Sequence, residues 1–345
     1  MDAQLIPTLI FLNAAAYVLA FATALVLVEV LGRPWRRAVD AHWTERARLA
    51  FAPGVAVVWL AALLPPAMAM VAGSGLEVFA PRLPWALAFW AAWLAGLAGV
   101  LTVRYRWLRG LWGERVTLRS WLAGCLVVLL ALGPHFVIMA LLLLLMPPAW
   151  NAASAAMLAA GVVAMAFFAR GGGVLLLRLL GVVRPAPIAV SEMVEDLAEK
   201  MNVPSQVKVF ELQWPQVNAV AWGLYRAVGF SRPLLDLMAP DEVRAVAAHE
   251  LAHLIEPRWV RTVRVAHMFA YLAVVPVIKF GGPANLALGN LLIVMTMLAY
   301  NRFTRRLEQR ADRLECEAIA DSGAYMRSLI KLHEANVAPA VMPGS

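Results

Sequence analysis

The chain has 345 residues, of which 62% are hydrophobic and only 15% charged, and its mean hydropathy is +0.71, which excludes an ordinary soluble domain and points to a membrane protein. A formal charge of +8 would suit nucleic acid. However, only Lys200, Lys208, Lys279 and Lys331 are lysines, so arginine dominates the basic set and clusters beside apolar segments; a lipid bilayer, not nucleic acid, is the expected partner.

In chain order, residues 5–31, 49–72, 84–103, 121–146 and 152–169 are each long and apolar enough to approach a bilayer span. Residues 5–31 lack a basic leader and a clear cleavage pattern, so an anchor is expected there and not a removable signal. The connections alternate in charge. Arg33, Arg36, Arg37, Arg46 and Arg48 fill the first, and only Arg82 lies in the second. Arg104, Arg106, Arg109, Arg115 and Arg119 fill the third, 147–151 has no charge, and Arg170, Arg178 and Arg184 follow the fifth segment. This places the N-terminus outside and everything after Arg170 in the cytoplasm. His135 follows Pro134 inside the fourth segment and is expected as a neutral, hydrogen-bonded imidazole at a proline kink. Trp107, Trp112, Trp150 and Tyr300 are expected as interfacial anchors.

At Arg184-Pro185-Ala186-Pro187 the composition becomes that of a soluble domain. The expected domains are therefore a membrane part, 1–183, a second part, 184–338, and a loose tail, 339–345. The second part reads as a helix over 191–201, strands over 206–212 and 217–222, and a helix over 241–256 that opens after Pro240 and stops at Pro257. An apolar hairpin follows at about 265–300, with Lys279 snorkelling near its tip, and then a charged helix over 301–320. His267 and His333 read as structural. Cys125 and Cys316 give neither a disulfide framework nor a thiolate metal spacing.

Chemistry concentrates in His249-Glu250-Leu251-Ala252-His253. Two histidines four apart on a helix share a face and can reach one cation, with Glu250 beside them as general base. A catalytic Zn²⁺ takes three protein ligands and keeps one open position, lowering the pKa of its bound water to about 7. Glu308 is the third-ligand candidate, and Asp312, one turn later, is placed to hydrogen-bond a ligand histidine. Glu308 also suits a solvated charge face with Arg305, Arg306 and Arg310.

Three features together resemble the membrane-bound gluzincin peptidases that include the HtpX-type proteases and the CAAX prenyl endopeptidases. They are Asn218-Ala219-Val220-Ala221-Trp222-Gly223, the H-E-x-x-H helix, and Glu308-x-x-Ala311-Asp312, within a stretch of about 191–336. The resemblance implies one zinc per chain on His249, His253 and Glu308, Glu250 as base, and Asp312 behind a ligand. It also implies that Asn218, Ala219 and Ala221 border the cleft and pair with extended substrate, with Asn218 the candidate oxyanion donor. The expected fold is a multi-span α-helical membrane protein with an α+β zincin catalytic domain, in a bacterial inner membrane with its active site facing the cytoplasm. The expected function is zinc endoproteolysis of membrane or membrane-proximal proteins. The alternatives are a BlaR-type sensor peptidase acting on a cytosolic partner and a proteolytically silent metal-binding scaffold. His333 is followed by Glu334, so the His-Pro segment that many family members carry after the third-ligand helix is missing.

Overall fold

The computed structural model describes residues 5–79, 85–147, 149–203, 206–280, 282–319 and 322–339. Of the expected tail, 340–345 lie outside them. The chain forms two compact units, one of residues 1–118 with 333–345 and one of 119–332, a division that falls elsewhere than the change of composition at Arg184.

In the first unit, helices α1 (Leu5–Arg37), α2 (Trp43–Phe79) and α3 (Trp85–Trp112) cover the first three apolar segments. Between apolar helices in lipid, association comes from close packing and not from hydrophobicity, so small residues collect at the contact. Ala16, Ala20 and Ala24 are buried on α1. On α3, a Cβ at Gly99 would lie 2.6 Å from the Tyr17 carbonyl oxygen, so only glycine permits that approach. Trp107, expected as an interfacial anchor, is instead 6% exposed within this cluster, while Trp112 donates its indole N–H to the Asn336 carbonyl at 2.9 Å.

The second unit begins with an interrupted segment: α4 (Leu118–Val127), a wider π-type turn (Val128–Leu132) and α5 (Pro134–Leu145). One continuous segment with a kink was expected over 121–146. Pro134 opens a new helix because it has no N–H to donate backwards, and Gly133 takes the non-helical link. After α6 (Ala152–Ala169), α7 (Gly172–Leu179) begins against that turn; a Cβ at Gly173 would overlap the Leu130 carbonyl, so glycine is required there too. Among the described residues, Ile10–Arg37, Ala152–Ala169 and Arg258–Phe280 are long and apolar enough to cross a bilayer.

The sheet contains β1 (Val183–Pro185), β2 (Lys208–Leu212), β3 (Ala219–Trp222) and β4 (Ala227–Ser231) in the order β1-β2-β4-β3. The β2–β4 pair is parallel; the other two pairs are antiparallel. Among the described residues β3 is thus an edge strand, paired on one side only, with β4. Phe210, Leu212, Trp222 and Ala227 of the sheet pack with Ala123 and Val127 of α4 and Val174 and Leu177 of α7. Helices α8 (Ile188–Lys200), α9 (Arg232–Leu237) and α10 (Pro240–Leu254) complete this region.

Two long helices join the sheet region to the apolar hairpin: α11 (Arg258–Phe280) and α12 (Gly282–Ala318). The hairpin's second arm and the charged stretch after it, expected as separate helices, form one helix of 37 residues. Glu308 stands eight residues past Tyr300, the end of the apolar stretch, or roughly 12 Å along the axis at about 1.5 Å per residue. The Lys279 ammonium, expected near the hairpin tip, donates to the Leu143 carbonyl at 2.9 Å. The last helix is α13 (Ser322–Ala335). The helical membrane part and small mixed sheet agree with the expected fold class.

Candidate metal centre and cleft

α10 is set by its first turn. Pro240 pre-forms the start, and the Glu242 carboxylate accepts the Ala239 N–H at 2.8 Å. Glu242 is 2% exposed and pairs with Lys331 at 2.7 Å, while Asp241 pairs with Arg327 at 2.6 Å. Two ion pairs therefore fasten α13 to the start of α10. On the buried side, Val243, Ala247 and Leu251 fix the rotation of α10, which turns His249, Glu250 and His253 toward β3 and α12.

His249 Nε2 lies 3.3 Å and His253 Nε2 3.6 Å from Glu308 Oε2, and a donor atom from each of the three residues falls within 4.8 Å of the others. Donors held about 2.0–2.1 Å from a tetrahedral ion stand roughly 3.3 Å apart, so the spacing fits Zn²⁺. The far side of each ring is occupied. His249 Nδ1 lies 3.1 Å from Asp312 Oδ1 and 3.0 Å from the Tyr325 hydroxyl, which itself donates to Asp312 at 2.7 Å. His253 Nδ1 donates to Glu256 Oε1 at 3.1 Å, and Glu256 also accepts from Arg264 at 2.6 and 3.0 Å. Such partners fix each ring's tautomer and leave Nε2 to face the carboxylate.

The electrostatics follow. Burial alone would lower His253, but hydrogen bonds to Glu256 and Glu308 outweigh it and raise it to about 9. His249 is raised too, its burial outweighed by Glu308 and Glu250. Hydrogen bonds from both histidines hold Glu308 well below the usual carboxylate range. Burial raises Glu250, opposed by the two histidines, and the Ala221 backbone hydrogen-bonds it. The three convergent donors are therefore tightly coupled, one carboxylate held ionised between two rings that bind protons strongly, and a cation bound to all three would take the place of those protons.

These residues open into a cleft of about 390 Å³ whose walls include Asn218, Ala219, Val220 and Ala221 of the β3 edge. The structure thus brings together Glu250, His249, His253 and Glu308, with Asp312 behind them. The Asn218 N–H donates to Ser231 Oγ at 2.9 Å and its carbonyl accepts from the Ser231 N–H at 2.9 Å, tying that residue to β4. Two residues escaped the sequence reading. Glu256 had a signal: it stands three residues after His253, and α10 ends at Leu254, short of the expected 256, which frees the Glu256 side chain to turn back. Tyr325 had none, because α13 brings it 76 positions back to His249.

Residues 188–343 match the model of peptidase family M48. The chain is 36% identical over 66 residues to a protease HtpX homolog of Aquifex aeolicus (strain VF5), covering 18% of this chain and 22% of the relative. It is 34% identical over 68 residues to protease HtpX homolog 1 of Sulfurisphaera tokodaii (strain DSM 16993 / JCM 10545 / NBRC 100140 / 7), covering 19% and 22%. The matched stretch thus spans about a fifth of each of these relatives. Residues 188–343, which supply every side chain of the metal centre described above, thus resemble peptidase family M48, and part of the chain is similar to the HtpX-type proteases.

Proposed function

We propose that this chain is a membrane-integrated zinc endopeptidase that cleaves membrane or membrane-proximal proteins, with one zinc on His249, His253 and Glu308. The observation that carries this reading is the convergence of His249 Nε2, His253 Nε2 and Glu308 Oε2 beside Glu250, in one cleft walled by an edge strand. Bound zinc supplies a water acidified to a pKa of about 7 and a Lewis acid for the substrate carbonyl.

The chain's own residues do the rest. Glu250 accepts the proton of the attacking water, and its burial moves its pKa up toward the working range of a general base. Glu256, Asp312 and Tyr325 hold the two imidazoles in register. The free edge of β3 offers backbone hydrogen bonds to an extended substrate, which suits chains of varied sequence. The short run of α12 between Tyr300 and Glu308 favours substrates near the bilayer. The Arg distribution supports an N-terminus outside and a cleft on the cytoplasmic side of the membrane, which we take to be a bacterial inner membrane. In purified protein, Glu250→Gln should retain the metal while chelator-sensitive cleavage of a protein substrate disappears. Near-normal turnover in that variant would overturn the mechanism.

A further inference from the structure

Next to the catalytic cleft lies a second cavity of about 200 Å³, and the two share Leu132, Ala221 and Arg264 in their walls. One wall comes from outside the M48 match: Leu132 and His135 at the break between α4 and α5, and Phe168 near the end of α6. The facing wall is Trp222, His267 and Tyr300. Rings dominate it. His267 and Tyr300 stack at 3.7 Å, and the His135 ring meets His267 edge-on at 5.6 Å. His135 is 6% and Trp222 9% exposed, and neither His135 Nδ1 nor Trp222 Nε1 has a hydrogen-bond partner among the described residues. The His135 imidazole, expected to be hydrogen-bonded, has no partner at Nδ1, so the two buried ring nitrogens belong to residues that wall the same cavity, although Trp35 Nε1 and Trp107 Nε1 in the α1–α3 cluster are likewise without partners among the described residues.

We propose that this cavity is a substrate subsite for an aromatic side chain, on the part of an extended substrate that continues past Ala221. The proposal rests on the peptidase reading above and adds a specificity to it. A strand laid on the β3 edge through the cleft reaches the cavity where the two spaces join, because Ala219 to Ala221 wall the first and Ala221 to Tyr225 wall the second. Alternate side chains of a bound strand point to one face, which is how pockets beside an edge strand select residues. The volume suits one ring, since about 150 Å³ of apolar cavity is enough for benzene. Ring walls favour an aromatic guest over an aliphatic one of equal size. The interrupted fourth segment thereby acquires a role: its break supplies Leu132 to both walls and His135 to the second.

The test uses the full chain in detergent, loaded with zinc, against a decapeptide library. One position should prefer Phe, Tyr or Trp over Ala by at least about tenfold in kcat/KM. Ala169→Phe, which adds a ring at the cavity wall, should abolish that preference and change Ala-bearing peptides less than twofold. Cleavage without an aromatic preference, or an equal loss on all peptides, overturns the subsite and leaves the peptidase reading intact. A second measurement needs no turnover. Met268→Cys, in a chain also carrying Cys125→Ala, Cys316→Ser and Glu250→Gln, is labelled with N-ethylmaleimide in the presence of a Phe-bearing or an Ala-bearing peptide. Slowing of at least about fivefold by the Phe peptide alone supports the subsite even if nothing is cleaved, in which case only the peptidase reading falls. Equal labelling with both peptides overturns the subsite.

Discussion

Glu256→Ala isolates the part of the metal centre that lies outside its three donors. Glu256 is the carboxylate behind His253, its side chain is 2% exposed, and it also binds Arg264 through two contacts of 2.6 and 3.0 Å. Its removal leaves the His253 ring without the group that holds Nδ1, and losses of this kind weaken metal binding on the order of 10- to 100-fold, or about 1.4–2.7 kcal/mol. Folding should suffer separately. Breaking a buried ion pair costs about 3–5 kcal/mol, but Arg264 is 28% exposed and keeps a 3.4 Å contact with the Tyr300 hydroxyl, so about 2 kcal/mol is expected here. Competition for zinc against a chromophoric chelator reads the first quantity, and thermal unfolding of the metal-free protein reads the second. Glu256→Gln keeps shape and one acceptor and should lose less than about tenfold in zinc affinity. Zinc binding by Glu256→Ala within about twofold of the parent would refute the role assigned to this carboxylate.

His249 has two partners at Nδ1 where His253 has one. Tyr325→Phe should therefore weaken zinc by less than about tenfold and Asp312→Asn by about 10- to 100-fold, and the double variant should fall short of the product of the two because both act through one ring; full multiplicativity in the same chelator competition would contradict the shared contact. In the metal-free protein His253 holds its proton up to about pH 9. A cation must displace that proton, so zinc affinity should rise with pH until about 9 and then level off. His249, also raised, adds to the rise. Calorimetry in buffers of different ionisation enthalpy should show net proton release on zinc uptake at pH 7; uptake with no proton exchange would contradict it.

How much of this was legible in the chain depended on whether the signal was local. The H-E-x-x-H helix carries its start at Pro240, its stop near Pro257 and its ligand spacing in consecutive residues, so both its boundaries and its chemistry could be read. Glu308 needed the further step of recognising Ala311-Asp312. β4 was missed because a strand buried along its whole length, Ala227-Val228-Gly229-Phe230-Ser231, shows no alternation. α9, with 6 residues, is too short for helical periodicity. Gly133-Pro134 signalled a disturbance in the fourth segment, but a kink and a full break share that signal; packing decides between them. Tyr325 depends on Arg327 and Lys331 docking α13 onto α10, a tertiary event with no mark in the sequence around residue 325.

The central claim is that one metal ion sits on two imidazoles and one carboxylate, and elemental analysis of the purified full chain and its variants tests it most directly. The account predicts about one zinc per parent chain, and strongly substoichiometric zinc in His249→Ala and in Glu308→Ala, each folded by circular dichroism. Stoichiometric zinc in His249→Ala, or a loss caused by substituting Glu315, about two turns further along α12, in place of Glu308→Ala, would contradict it.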